Sequence, residues 1–183
     1  MRIADGIYTF DGILSREERD EYISWTEGLG YSDAPISTAA GFVLRPDIRN
    51  NARVIVDHTD RACLLWSRVE GTVPRILRGR QVIGLNERFR FYRYDPGERF
   101  APHTDGCFRR NNGQESLLTI MIYLDEGCEG GETNFGDVQI VPKAGMALIF
   151  DHYLLNEGAA VLSGRKYVLR SDVMYGPVGE LRG

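Results

Sequence analysis

His103 and Asp105 are the residues in this chain best placed to do chemistry. They lie in the segment Tyr94–Asp105, two positions apart. On an extended segment, residues two apart project to the same side. A neutral imidazole and a carboxylate on one side can grip one edge of a divalent iron ion. A further His from a later strand would complete a face of two imidazoles and one carboxylate, leaving the opposite positions open for oxygen chemistry.

Such a half-site needs a rigid frame, and from about residue 81 the sequence supplies short extended runs broken by Gly and Pro. The expected strands are 82–85, 88–94, 117–124, 137–141, 145–150 and 165–175, separated by turn signals such as Asn112-Gly113, Gly130-Gly131 and Gly136-Asp137. This spacing suits an antiparallel sandwich or barrel with a site in its mouth. The first 80 residues read differently. Ser15 and Glu18 form a capping-box pattern, predicting a helix to about Gly28 that buries Tyr22, Ile23 and Trp25. A second helix is expected after Asp60, carrying Cys63, Leu64, Leu65, Trp66 and Val69 and ending near Gly71. The fold class is therefore α+β, mainly β: a jelly roll over 81–183 with packing helices in a support region over 1–80, together one compact domain.

The 183 residues suit one domain with a real core, and 43% of them are hydrophobic. Net charge is −4 with the charges interspersed, which argues against a nucleic-acid or membrane-surface partner. No apolar run is long enough to span a membrane, and the first residues lack the layout of a signal peptide. Cys63, Cys107 and Cys128 are odd in number and far apart, which reads as free thiols in a reducing, cytoplasmic setting. Cys107 stands close enough to Asp105 to line a site, although a packing role is the plainer reading. Oligomeric state leaves no mark in the sequence.

Five ordered blocks connect these elements. They are Tyr94-X-X-Gly97-X-X-Phe100-X-X-His103-X-Asp105; the run Leu118–Leu124; Glu129–Thr133 followed by Phe135; Lys143-X-Gly145-X-Ala147 through Phe150; and Asn156–Val161 followed by Gly164, Lys166 and Tyr167. Together, across about residues 81–176, they resemble the iron(II)/2-oxoglutarate-dependent dioxygenase family in its prolyl 4-hydroxylase-like branch. The resemblance implies a double-stranded β-helix (a jelly roll of cupin-like form). It also implies Fe(II), 2-oxoglutarate and O2 as cofactor and cosubstrates, with ascorbate as an optional reductant.

The resemblance also assigns roles. The third iron ligand of the family is a His, and the matching position here holds Asn156. An amide carbonyl is a weaker donor to iron than imidazole, so His103, Asp105 and Asn156 would hold iron less tightly. His152 is the alternative third ligand. On a fully extended chain its Cα would stand about 13 Å from that of Asn156, so it needs an intervening turn. Lys166 matches the cation that anchors the far carboxylate of 2-oxoglutarate, with Arg170 assisting or replacing it. Tyr123 is expected to hydrogen-bond the same carboxylate, and Tyr94 to contact the cosubstrate near the iron. For each Tyr the plain alternative is a core aromatic with its hydroxyl satisfied.

Two further stretches stay open. Arg88, Arg90, Tyr92 and Tyr94 share one face of a strand that either lines the cavity or meets solvent. Arg109 and Arg110 read as a loop over the mouth, where substrate choice would be made. His58 has no partner motif and reads as structural. The expected function is a dioxygenase that hydroxylates a peptidyl proline, an amino acid or a small metabolite. The alternative, motivated by Asn156, is a disabled member that binds a peptide or small acid in the same pocket.

Overall fold

The computed structural model describes residues 1–39 and 41–179. Its frame is a large antiparallel sheet in the order Arg2–Ala4, Ile7–Phe10, Ala147–Asp151, Glu115–Tyr123, Lys166–Pro177, Arg88–Tyr94, Ala52–Asp57 and Ser32–Asp33. Arg80–Leu85 pairs with the far half of Lys166–Pro177. A second sheet, ordered Phe100–His103, Asn156–Gly158, Thr133–Phe135 and Val138–Ile140, closes the roll. The long central strands are the ones expected from the sequence, displaced by at most two residues at their ends.

Strict alternation explains why these strands build two layers. On Arg88–Tyr94, Phe89 and Phe91 face one core while Tyr92 and Tyr94 face the other. On Glu115–Tyr123, Leu118, Ile120 and Ile122 join the first core, and Tyr123 joins the second. The first core lies under two helices, α1 (Arg16–Leu29) and α2 (Thr59–Val69). The second fills the interior of the roll with Phe135, Leu148, Phe150 and Val168. A sheet buried on both faces by different partners needs apolar residues at successive positions, as the run Leu118–Leu124 has.

The helices form where their caps place them. Ser15 Oγ accepts the Glu18 amide at 3.2 Å, and Glu18 Oε2 accepts the Ser15 amide at 2.9 Å, completing the capping box. Tyr22 is buried beneath α1, with Ile23 and Trp25 packed partly buried beside it. On α2, Leu65 and Val69 are buried, whereas Cys63 and Leu64 face solvent. His58 is the N-cap of α2, its Nδ1 accepting the Arg61 amide while its ring meets the edge of Trp25. The first 80 residues are not purely helical. Ile7–Phe10 and Ala52–Asp57 are strands of the main sheet, paired with Ala147–Asp151 and Arg88–Tyr94. The β-branched run in Ala52–Asp57 favours this conformation, and its partner strand lies far away in sequence. No helix among the described residues is long and apolar enough to cross a membrane.

Candidate functional site

A cavity of about 720 Å³ opens at the mouth of the roll, between the two sheets. Its walls include His103, Asp105, Asn156, Tyr94, Lys166 and Arg170. Residues singled out in the first and last of the sequence blocks, together with Arg170, therefore converge on one space.

His103 ends its strand directly opposite Asn156, its register partner on the neighbouring strand. The His103 ring stacks on Phe100 with centroids 3.5 Å apart. Its Nδ1 lies 2.8 Å from the Ala101 carbonyl oxygen. A carbonyl can only accept, so Nδ1 carries the proton and Nε2 keeps its lone pair, the tautomer a metal ligand requires. That Nε2 lies 3.6 Å from Asp105 Oδ1. Asp105 is fixed in turn: its amide donates to the His152 carbonyl at 3.1 Å, and Thr119 Oγ1 donates to its Oδ2 at 2.5 Å. Burial opposes ionisation of Asp105, but Arg170, His103 and Thr119 outweigh it and hold the carboxyl well below the usual carboxylate range.

The fit of a divalent metal rests on this donor set. Among the described residues no three His, Cys, Asp or Glu side chains converge on a common point. The strong donors are His103 and Asp105. Asn156 turns its amide nitrogen to the carbonyls of His103 and Leu154, at 3.2 and 3.3 Å, which leaves its Oδ1 as the free donor atom. The arrangement fits a divalent ion held by one imidazole, one carboxylate and one amide oxygen. His152 does not join them. It is buried behind Asp105 with its Nε2 3.7 Å from Asp172 Oδ1, away from the cavity wall. A turn after Asp151 does follow the apolar strand, but it carries the imidazole to Asp172. Burial keeps His152 below the usual histidine pKa.

Lys166 is the other feature of the cavity. It is 2% exposed, and its Nζ donates to the Gly131 carbonyl and lies over the rings of Tyr94 and Tyr123 at 5.1 and 5.5 Å. No carboxylate among the described residues pairs with it, and burial pushes its pKa down to about 8. Gly131 makes room for it: a Cβ there would sit 3.0 Å from Lys166 Cδ, and the backbone φ of +68° also favours glycine. A buried, unpaired ammonium in a cavity is a site for an anion.

The other expected contacts divide. Tyr94 lines the cavity beside Lys166 and is its register partner, and burial raises its hydroxyl pKa to about 12. Tyr123 is buried one layer deeper, with its hydroxyl sharing a 2.7 Å hydrogen bond with Thr133. It is Thr133 that reaches the cavity wall. Arg170 stands in the same cavity, but not as a free second anchor. Its Nη2 lies 3.2 Å from Asp105 Oδ1 and 3.3 Å from Asp172 Oδ1, so its charge is already committed to carboxylates.

The open question over Arg88, Arg90, Tyr92 and Tyr94 is answered: that face lines the cavity. Arg90 is paired with Asp172 at 3.1 Å and Arg88 with Asp57 at 2.8 Å. Cys107 also reaches the cavity wall. Arg109 and Arg110 do not reach it; they pair with Glu115 and Glu87, because the chain folds back into the Glu115–Tyr123 strand. The mouth is bordered instead by the hairpin Ile36–Thr38/Gly41–Val43, with Phe42 on the cavity wall. The sequence reading missed this hairpin, Thr119 and two arginines, Arg49 and Arg53. Their own neighbourhoods carry no motif. The β-branched pattern at 52–57 was the one signal that Arg53 lies on a strand.

Comparison with known proteins agrees with this geometry. Residues 89–171 match the model of the 2OG-Fe(II) oxygenase superfamily. The chain is 26% identical over 160 residues to prolyl 4-hydroxylase 1 of Arabidopsis thaliana; the match covers 72% of this chain and 56% of that protein, so it spans little more than half of the relative. The fold is similar to the viral collagen prolyl hydroxylase of Paramecium bursaria Chlorella virus-1 in its 2-oxoglutarate complex, with a TM-score of 0.65, 22% identity and coverage of 95% and 99% of the two chains. It is also similar to a Trichoplax adhaerens prolyl hydroxylase bound to a hypoxia inducible factor peptide fragment, with a TM-score of 0.69, 16% identity and coverage of 93% and 84%.

Proposed function

We propose that this chain, whose residues 89–171 match the model of the 2OG-Fe(II) oxygenase superfamily, is an iron(II)- and 2-oxoglutarate-dependent dioxygenase that hydroxylates an aliphatic C–H bond, of the prolyl-hydroxylase type. One observation carries the reading. A prepared imidazole–carboxylate pair and an unpaired buried ammonium face the same cavity, as a metal and a dicarboxylate cosubstrate together require.

His103 Nε2, Asp105 and the Oδ1 of Asn156 would hold the ferrous ion. When bound, the ion and 2-oxoglutarate supply the oxidising chemistry, with O2 divided between decarboxylation to succinate and hydroxylation of the substrate. The protein's own part is positioning. The Ala101 carbonyl sets the His103 tautomer, Thr119 holds Asp105, and Lys166 receives the far carboxylate beside Tyr94, with Tyr123 holding Thr133 at the wall. Residues 81–183 form the oxygenase core in this reading, and residues 1–80 support it and supply part of the cavity's rim. The free cysteines support a reducing, cytoplasmic setting.

The disabled-member reading rests on Asn156 alone, and the similarity to prolyl hydroxylases favours the enzyme. Anaerobic titration with Fe(II) in the presence of 2-oxoglutarate tests it. A saturable visible charge-transfer band, followed by succinate release in air, is expected. If neither this chain nor its Asn156→His variant gives a band, the oxygenase assignment fails.

A further inference from the structure

The cavity holds more positive charge than the proposed cosubstrate uses. Among the described residues six cationic side chains line it, Arg49, Arg53, Arg88, Arg90, Lys166 and Arg170, against one carboxylate in the wall, Asp105. Asp57 and Asp172 neutralise Arg88 and Arg90 from behind, and Arg170 is shared between Asp105 and Asp172. Lys166 is reserved for 2-oxoglutarate. Arg49 and Arg53 remain.

Neither has an anionic partner among the described residues. Arg49 is 6% exposed. Its Nε donates to Asn51 Oδ1 at 2.7 Å, while its buried Nη2 has no hydrogen-bond partner. Its guanidinium lies over the rings of Tyr92 and Phe100, at 4.4 and 4.5 Å, and Phe100 in turn stacks on His103. Arg53 makes no ion pair and is half-buried beside Tyr92, its register partner. Burial, followed by the fields of Arg49, Arg90 and Arg170, lowers its pKa. Arg49 and Arg53 thus add positive charge with no carboxylate partner of their own among the described residues, which is unfavourable until an anion arrives.

The spot is separate from the lysine. Arg53 pairs with Tyr92, and Tyr92 with Val168, two residues beyond Lys166. Two strands across and two residues along place the Cα atoms of Arg53 and Lys166 about 12 Å apart.

We propose that Arg49 and Arg53 form a second anion subsite that fixes a carboxylate of the substrate beside the His103–Asp105 pair, so the substrate of this enzyme is acidic at that end. The proposal deepens the oxygenase reading and rests on it for the word substrate. Guanidinium groups suit a carboxylate because they offer paired, planar donors.

The test is calorimetric binding to the full chain with 2-oxoglutarate in excess, so that Lys166 is occupied. The probes are N-acetyl-L-proline, its neutral amide, and N-acetyl-glutamyl-prolinamide. The acids should bind at least ten times more tightly than the neutral amide. Arg53→Gln should abolish that preference, Arg53→Lys should keep part of it, and 2-oxoglutarate affinity should be unchanged in both. Preference for N-acetylproline identifies a free α-carboxylate, and preference for the glutamyl probe identifies an acidic peptide; both support the subsite. Equal binding of acids and amide, binding of none of the three probes, or loss of 2-oxoglutarate affinity in Arg53→Gln overturns it. Should 2-oxoglutarate fail to bind while the acids still discriminate through Arg53, the oxygenase reading falls and the subsite stands.

Discussion

Replacing Lys166 with Met should make the ligand-free protein more stable while removing its affinity for 2-oxoglutarate. The ammonium is buried, has one carbonyl acceptor and lacks a carboxylate partner among the described residues. Its pKa falls from 10.5 to about 8, with burial as the main cause. That gap corresponds to roughly 3 kcal/mol of penalty on the charged form. Met keeps most of the volume and removes the charge, but leaves the Gly131 carbonyl without its donor, a loss of about 1 kcal/mol. The net expectation is a gain of about 1–2 kcal/mol at neutral pH, or several degrees in Tm for a domain of this size. The pH dependence gives a second signature. Between about pH 8 and 10.5 the unfolded chain holds a proton on this lysine that the folded chain has released, so stability of the parent rises with pH across that window. The variant lacks that component, and its advantage should shrink towards about pH 10. A hundredfold excess of 2-oxoglutarate over its Kd should stabilise the parent by about 2.7 kcal/mol and leave the variant unchanged. Denaturant unfolding at neutral and alkaline pH, with and without 2-oxoglutarate, measures all three effects. A variant more than about 1 kcal/mol less stable than the parent, with the same pH slope, would mean that the charge is already compensated inside the protein, and the anchor argument would be refuted.

Asn156→His should strengthen Fe(II) binding by about tenfold or more, because imidazole replaces an amide oxygen as donor; equal titration midpoints for the two proteins would show that Asn156 does not face the metal. Thr119→Val removes the hydroxyl that donates to Asp105 Oδ2, and the metal dissociation constant should rise about 10- to 100-fold with little change in fold by circular dichroism. An unchanged constant would separate Thr119 from the site. Ser15→Ala breaks the capping box of α1 and should reduce stability by about 1 kcal/mol with 2-oxoglutarate affinity intact, which thermal unfolding and calorimetry check together.

What the sequence determined by itself was local. Alternation from Arg88 to Tyr94 reports a strand with Phe89 and Phe91 on one face and Arg88, Arg90, Tyr92 and Tyr94 on the other, because side-chain direction follows the backbone period whatever the strand pairs with. The Ser15–Glu18 capping box needs only four consecutive residues. The ordered blocks around His103, Asp105, Asn156 and Lys166 were readable through their resemblance to the iron(II)/2-oxoglutarate-dependent dioxygenase family, which assigned their roles. Only the tertiary structure decided how the charges pair. Arg170 and Lys166 share a strand face, yet one is bound to Asp105 and Asp172 while the other lacks a carboxylate, and that difference depends on which strands lie alongside. His152 stands four residues from Asn156, yet its imidazole faces Asp172. Arg49 and Arg53 come from the half of the chain expected to be helical; Arg53 reaches the cavity because Ala52–Asp57 pairs with Arg88–Tyr94, and Arg49 because it bridges to Phe100. Period and spacing are properties of a segment. Which cation meets which anion is a property of strand register, set by contacts between residues far apart in sequence.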